Sequence, residues 1–256
     1  MTYGICGLSL VPLREVDQFD APLISEVLYG ELFEVINTKK KWSNVKLADG
    51  AVGWIDNAQY IGITDEEFAK LSKQEPKTAV DLVEFILKDN DILFPISIGS
   101  TIENCAFLGH RFEGQTSGVA IQKKNIPQTA FTFLNTPYRK GGKSPFGIDE
   151  AGFTQIVYKL CGVMLPRTAI EQSALGEVLS FIEESEPGDL AFFDDEEGTI
   201  IHVGVVLENN YIIHAAGQVR VDRLDQTGIF NVEKNTHTHQ LLSLIHISEP
   251  TRLSTI

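Results

Sequence analysis

The chain has 256 residues, of which 43% are hydrophobic and 22% charged, a composition typical of a folded globular protein with one to three domains. Its formal net charge of −14 at pH 7 argues against nucleic acid and membrane surfaces as partners, because both carry negative charge. No apolar run reaches the length of a membrane span, and the N-terminus lacks the pattern of a signal peptide, so we expect a cytoplasmic protein.

The cysteines Cys6, Cys105 and Cys161 are scattered and show no metal-site spacing. This pattern argues against a disulfide framework and fits a reducing compartment. We expect three small core residues rather than reactive thiols, and we predict no metal and no cofactor.

The first half of the chain shows mainly strand patterning. Residues 1–62 contain short β-type runs separated by turn signals, which predict a small all-β barrel. Residues 63–78 are polar and contain a Thr-x-x-Glu capping box, which predicts a helical connector. Strand patterning resumes over residues 79–125, where we expect a second, degenerate barrel.

Residues 126–241 combine helical patterns with a series of strands, which indicates an α+β domain. Its central feature is the loop PYRKGGKSPFGIDEA, which delivers Asp149, Glu150 and Ala151 to the first turn of an apolar helix. The backbone N–H groups and the dipole at a helix start lower the pKa of a thiol, so an enzyme would place a nucleophilic cysteine there. This chain carries Glu150 at that position.

The end of the chain has a different character. Residues 242–252 read LSLIHISEPTR, which resembles the translation of an adapter used in preparing sequencing libraries. We therefore expect residues 242–256 to be foreign to the domain and the last strand to be cut short near residue 241. His246 is accordingly given no functional role.

Several motifs occur in a fixed order in the α+β domain. The Gly-rich loop opens a helix with Asp-x-x-Gly-Phe, a strand starts with Pro-Gly-Asp-Leu-x-Phe-Phe, and the strands His-Val-Gly and Tyr-Ile-Ile-His-Ala carry His202 and His214. Together these motifs resemble the NlpC-type cysteine peptidases, a papain-like family that cuts bacterial cell-wall peptides. Residues 1–62 resemble the bacterial SH3-like domains attached to such enzymes. The resemblance implies an α+β fold in which one or two small SH3-like barrels precede a papain-like domain.

The resemblance also implies roles for the two histidines. In that family a cysteine at the helix start attacks the amide, the histidine of the His-Val-Gly strand is the general base, and the next histidine orients it. His202 and His214 match the base and the orienting residue.

The SH3-like arrangement is most similar to that of the γ-D-glutamyl-L-diamino-acid endopeptidases, which process murein peptides with a free N-terminal L-alanine. In those enzymes an acid and a tyrosine of the SH3-like domain, with the aspartate before the nucleophile, bind the free amine. A buried ammonium needs such carboxylate partners. By motif position, Glu31, Tyr60 and Asp149 take these roles, and Tyr138 of the loop is a further predicted peptide contact.

The pattern departs from the family around the nucleophile. The family reads Asp-Cys-Ser-Gly-Phe, whereas this chain reads Asp-Glu-Ala-Gly-Phe over residues 149–153. Arg139 and Lys140 replace the usual Leu-Trp, and Thr168 replaces a common aspartate. Cys161 lies about three helical turns further on and cannot substitute. We therefore expect a catalytically silent scaffold, in which Glu150 forms a hydrogen bond with His202 and stabilises the helix start.

Two alternatives remain open. The first is an active endopeptidase whose sequence was altered at the nucleophile. The second is a metal site made of Glu150, His202 and His214, because two histidines and a carboxylate form the ligand set of many zinc and iron centres.

Overall fold

A computed structural model describes residues 2–89, 91–117 and 123–247. The chain divides into two compact units. The first contains the described residues up to 117 together with Arg139–Gly147, and the second contains residues 123–138 and the described residues from 148 onward. Within the described ranges, no helix is both long and apolar enough to cross a membrane.

The first unit is dominated by short antiparallel strands. Its elements are β1 (Tyr3–Ile5), β2 (Leu10–Arg14), β3 (Leu23–Leu28), β4 (Leu32–Thr38), β5 (Trp42–Leu47), β6 (Val52–Asp56), β7 (Ile61–Ile63), α1 (Asp65–Leu71), β8 (Thr78–Ala79), β9 (Val83–Lys88), β10 (Leu93–Ser97), β11 (His110–Phe112), β12 (Thr116–Ser117) and β13 (Lys143–Ser144).

Strands β1 to β7 form one seven-stranded sheet in the order β3-β2-β6-β5-β4-β1-β7. Alternating residues of these strands point to the same side, so Val11, Leu13, Val27, Val45 and Ile55 meet in one buried cluster. This cluster is the core of the predicted N-terminal barrel.

Residues 63–117 belong to the same compact unit as this sheet. The predicted capping box is present at the start of α1, where Thr64 N donates to the Glu67 carboxylate at 2.8 Å. Strands β9 to β11 form a three-stranded sheet, and β8 pairs with β12. Ile86 and Ile96 pack in one cluster with Tyr29 of the N-terminal part. The second, degenerate SH3-like unit over residues 79–125 stays a prediction.

The second unit combines short helices with a larger sheet. Its elements are α2 (Ile126–Phe131), β14 (Gly147–Ile148, whose first residue belongs to the first unit), α3 (Glu150–Leu160), α4 (Ala169–Ser173), β15 (Glu177–Leu179), β16 (Leu190–Asp194), β17 (Ile200–Leu207), β18 (Tyr211–Ala216), β19 (Gln218–Leu224), β20 (Gly228–Asn231) and β21 (Thr236–His246).

The sheet of the second unit has the strand order β15-β21-β16-β17-β18-β19-β20, and β21 also pairs with β20. The extra pairing closes strands β16 to β21 into a ring with an apolar interior that includes Ala191, Phe193 and Ile212. Helix α3 packs against β17 and β18, and every residue from 151 to 158 is buried. A helix buried on all sides gives its first turn a fixed position beside the histidine strands.

The last strand does not stop near residue 241. Strand β21 continues to His246, where it pairs with both β16 and β15, and Leu244 and Ile245 are buried. Residues 242–246, which read LSLIH, have apolar side chains at strand spacing. This pattern explains why the adapter-like segment extends the sheet. The foreign origin of residues 242–256 stays a prediction, and residues 248–256 lie outside the described part of the chain.

Candidate active site

Helix α3 begins where the sequence predicted. Asp149 is its N-cap in an extended conformation, and Gly152 N donates to Asp149 Oδ1 at 2.7 Å. This contact satisfies one of the unpaired N–H groups of the first turn. Glu150 is consequently the first helical residue, in the position where the family places its cysteine.

Arg167 holds the Asp149 carboxylate from its other side. Its Nη1 donates to Oδ1 at 3.0 Å and its Nη2 donates to Oδ2 at 2.7 Å, and both side chains are buried. Parallel bonds from a guanidinium to a carboxylate fix both groups in one geometry. The predicted amine-binding carboxylate therefore already has a cation of this chain as its partner.

The Glu150 carboxylate contacts Tyr138. The Tyr138 hydroxyl donates to Glu150 Oε2 at 3.0 Å. Burial and the neighbouring Asp149 charge raise the pKa of Glu150, although the hydrogen bond from Tyr138 and the Arg167 charge act in the opposite direction. Burial and the Glu150 charge raise the pKa of the Tyr138 hydroxyl in turn.

The expected hydrogen bond between Glu150 and His202 is not formed among the residues that the structure describes. Glu150 instead bonds to Tyr138, and His202 bonds to His214. The expected stabilisation of the helix start is also corrected, because a raised pKa means that the folded protein disfavours the charged form of Glu150. Burial and the Asp149 charge raise this pKa more than the backbone hydrogen bond, Tyr138 and Arg167 lower it.

Cys161 does not supply a nucleophile. It is the C-cap residue of α3, at the opposite end from Glu150, and its Sγ lies 3.6 Å from Thr129 Oγ1. Burial raises the pKa of this thiol, which keeps it protonated. Cys6 and Cys105 are likewise buried, as their prediction as core residues requires.

The two predicted histidines lie together on neighbouring strands. His202 Nε2 and His214 Nδ1 are 2.8 Å apart, and both side chains are buried. His214 pairs in register with Gly204 of the His-Val-Gly motif. A Cβ atom at Gly204 would lie 2.9 Å from His214 Cβ, so the missing side chain gives His214 its room. Burial and the neighbouring histidines hold the pKa of His202 well below its usual value.

Two further residues at this site were not predicted from the sequence. His214 Nε2 lies 3.0 Å from Asp222 Oδ2 on β19. The His239 ring of β21 stacks on His202 with ring centroids 4.2 Å apart. Asp222 was detectable in principle only through strand alternation, since the run QVRVDRL places it on the same strand face as Arg220. In the structure Arg220 pairs directly with His214, and Asp222 lies two residues further along the same strand. His239 had no comparable signal.

Glu31 and Tyr60 belong to the first unit. Glu31 Oε2 accepts from Leu28 N at 2.9 Å and lies 3.5 Å from Lys143 Nζ. The Tyr60 hydroxyl lies 2.8 Å from Ser43 Oγ, and its ring packs edge-on against Phe33. These contacts give both residues a structural role, and their binding of an amine stays a prediction.

Two of the sequence departures also have structural partners. Arg139 forms an ion pair with the buried Glu26 in the first unit. In the second unit, Thr168 is the N-cap of α4 and forms a capping box with Glu171. A threonine in place of an aspartate therefore keeps the helix start satisfied.

The metal alternative receives no support from the geometry. Within the described ranges, no group of three histidine, cysteine, aspartate or glutamate side chains is arranged to hold a metal ion. The reason lies in the hydrogen bonds, since His214 directs both ring nitrogens at protein partners and the Glu150 carboxylate faces Tyr138.

A helix start beside a strand-borne histidine pair, on a closed antiparallel sheet, defines a papain-like peptidase domain. The sequence model of the NlpC/P60 family matches residues 135–238, and that of the bacterial dipeptidyl-peptidase Sh3 domain matches residues 13–59. The probable endopeptidase NlpC homolog of Haemophilus influenzae is 30% identical over 146 residues, which cover 55% of this chain and 77% of that protein. The chain belongs to the NlpC/P60 family. The predicted family and fold class are confirmed.

Other similar proteins match longer or shorter stretches of the chain. Dipeptidyl-peptidase 6 of Lysinibacillus sphaericus is 28% identical over 244 residues, covering 80% of this chain and 86% of that protein. The γ-D-glutamyl-L-lysine dipeptidyl-peptidase of Bacillus subtilis is 35% identical over 114 residues, covering 42% of this chain and only 38% of that protein. The crystal structure of an NlpC/P60 family protein from Bacillus cereus shares the fold, with a TM-score of 0.77 and 18% identity over 96% of this chain and 99% of that one.

Proposed function

We propose that this chain is an NlpC/P60 scaffold that binds murein peptides with a free N-terminal L-alanine and does not cleave them. The observation that carries the proposal is the position of Glu150 as the first residue of α3, with its carboxylate bonded to Tyr138. Peptidases of this family need a thiolate at that point.

The remaining chemistry of the chain supports catalytic silence. A carboxylate is a much weaker nucleophile than a thiolate toward an unactivated amide, and the raised pKa of Glu150 reduces its ionised fraction further. The three cysteines are buried and lie elsewhere in the fold. The base His202 is present but has no nucleophile to activate.

Two observations support peptide binding: the similarity to a peptidase of known substrate class and the fixed position of Asp149. The Bacillus subtilis relative is named for its action on γ-D-glutamyl-L-lysine peptides. Asp149, the residue assigned to the amine, is buried and held rigidly in place by Arg167. A bound ammonium would share this carboxylate with Arg167, so we expect weaker binding than an unpaired aspartate would give.

Calorimetry with L-Ala-γ-D-Glu-diaminopimelate tests the binding half of the proposal. We expect measurable heat of binding for this tripeptide and none for the same peptide acetylated at its N-terminus, because acetylation removes the ammonium. The Asp149→Asn variant keeps the helix cap and serves as the matched protein control, with weakened binding. An absence of binding by the free-amine peptide would contradict the proposal.

The alternative of an altered active enzyme has its own test. The double variant Glu150→Cys with Ala151→Ser restores the family pattern at the helix start. Recovered hydrolysis would show that the change at these two positions alone silences the chain. Continued inactivity would assign part of the loss to Arg139, Lys140 or Thr168.

A further inference from the structure

His202 and His214 belong to a longer chain of hydrogen bonds that ends in an ion pair. His214 Nε2 lies 3.0 Å from Asp222 Oδ2. Arg220 donates to the same carboxylate twice, from Nε to Oδ2 at 2.7 Å and from Nη2 to Oδ1 at 3.0 Å. Arg220 also reaches Glu233 at 3.2 Å. The hydrogen bonds thus link Arg220, Asp222, His214 and His202 in that order.

Asp222 is the fixed acceptor of this chain. Burial opposes its ionisation, but the hydrogen bonds from His214 and Arg220 outweigh that effect and hold the pKa of Asp222 below its usual value. An ionised carboxylate accepts hydrogen bonds and donates none. The proton between Asp222 and His214 must therefore reside on His214 Nε2.

The position of that proton determines which ring nitrogens of His214 and His202 donate and which accept. A neutral imidazole carries a proton on one nitrogen and a lone pair on the other. With Nε2 of His214 protonated, its Nδ1 is an acceptor, and His202 must donate to it from Nε2 across the 2.8 Å contact. The lone pair of His202 is then on Nδ1, which has no hydrogen-bond partner among the residues described.

We propose that Asp222, held by Arg220, is a positioning residue that sets the tautomers of both histidines and leaves His202 Nδ1 as the free base. This role of Asp222 follows from the contacts that join Arg220, Asp222, His214 and His202. It is separate from the peptide binding proposed above. It also means that the base remains assembled although the nucleophile is absent.

His239 supports the neutral state on which the assignment depends. Its ring covers one face of His202 in a stacked contact and lies edge-on to His214 at 5.8 Å. Three neighbouring imidazoles, of which His202 and His214 are buried, disfavour protonation of any one, because each charge would repel the others and the two buried rings lack water. At pH 7 we therefore expect both His202 and His214 to be neutral.

Nitrogen NMR of the wild-type chain labelled with ¹⁵N-histidine tests the proposal directly. A long-range ¹H–¹⁵N correlation spectrum separates protonated from unprotonated ring nitrogens, and a His202→Gln variant assigns the His202 signals. At pH 7 we expect a single tautomer of His202 with Nε2 protonated and Nδ1 unprotonated. A wild-type His202 protonated at Nδ1, or present as a mixture of tautomers, would overturn the proposal.

The variant Asp222→Ala removes the acceptor and is expected to produce a mixture of tautomers at both His214 and His202. The matched control is Asp225→Ala. The Asp225 carboxylate lies 2.9 Å from Nε2 of His237, which is not part of the hydrogen-bonded series from Arg220 to His202. This control should change the His237 signals and leave His202 unchanged. An Asp222→Ala variant that keeps the single wild-type tautomer would also overturn the proposal. The readout involves no peptide, so it is independent of the proposed function.

Discussion

Asp149 and Arg167 form a bidentate ion pair at the first turn of helix α3, with contacts of 2.7 and 3.0 Å. Asp149 directly precedes Glu150, so this ion pair fixes the residue before the first helical position. The start of α3 is thus held by contacts that involve no thiol.

Replacing Arg167 with methionine is expected to destabilise the protein by about 3–5 kcal/mol, because it leaves the buried Asp149 charge without its cation. Adding Asp149→Asn should recover part of that loss, since the amide needs no counter-charge. Urea unfolding at pH 7 measures both effects. The control Lys39→Met breaks an exposed pair with Asp17 and should cost less than about 1 kcal/mol. Equal losses for the Arg167 and Lys39 variants would contradict the account.

The variant Glu150→Gln is expected to be more stable than the wild type at pH 7. Its amide oxygen still accepts from Tyr138, while the disfavoured charge is gone. The pKa of Glu150 is raised in the folded state, so the wild type loses stability as the pH rises from 4.5 through the folded-state value. The difference between the two proteins should therefore vanish below about pH 4.5.

Urea unfolding over a pH series measures this difference. Glu196→Gln is a suitable control, because Glu196 lies in the exposed turn between β16 and β17 and should show little difference at any pH. A Glu150→Gln variant less stable than the wild type at pH 7 would mean that the charge stabilises the helix start after all.

The histidine cluster predicts a loss of stability in mild acid. Burial and the His214 charge lower the pKa of His239 from 6.5 to about 4. Between these values the unfolded chain binds the proton and the folded chain does not, so stability is complete above pH 6.5 and falls as the pH decreases toward 4. His239 alone changes the unfolding free energy by at most about 1 kcal/mol per pH unit, after allowance for its partial exposure.

His239→Phe keeps a ring against His202 and removes one titrating group. We expect its unfolding free energy to fall less steeply than that of the wild type between pH 6.5 and 4.5, with His202 and His214 still contributing. Parallel pH profiles for the two proteins would show that His239 has no part in the acid response.

The sequence predicted the elements that rest on local patterns or distinctive motifs. The loop before α3, the start of that helix and the strands of His202 and His214 follow from glycines, turn residues and apolar spacing. The partners of these residues depend on contacts between distant segments. Arg167, Asp222 and His239 approach the site only after the sheet has closed, so strand alternation was the one hint of Asp222 and no spacing in the chain indicated the other two.

The error about Glu150 has a similar origin. A carboxylate at a helix start is favourable when considered alone, but its burial and the adjacent Asp149 reverse the balance. The second, degenerate SH3-like unit over residues 79–125 stays a prediction, since strand patterning does not report whether a segment has its own core. The cytoplasmic location and the amine-binding roles of Glu31, Tyr60 and Asp149 stay predictions.

The most direct test of the central claim is turnover of L-Ala-γ-D-Glu-diaminopimelate by the purified wild-type chain, followed by chromatography of the released diaminopimelate. The chain should be incubated with and without iodoacetamide, which inactivates contaminating cysteine peptidases. We expect no release above the protein-free control under either condition. Thiol-independent release by the wild type, abolished in the Glu150→Gln variant, would contradict the claim that this chain does not cleave peptides.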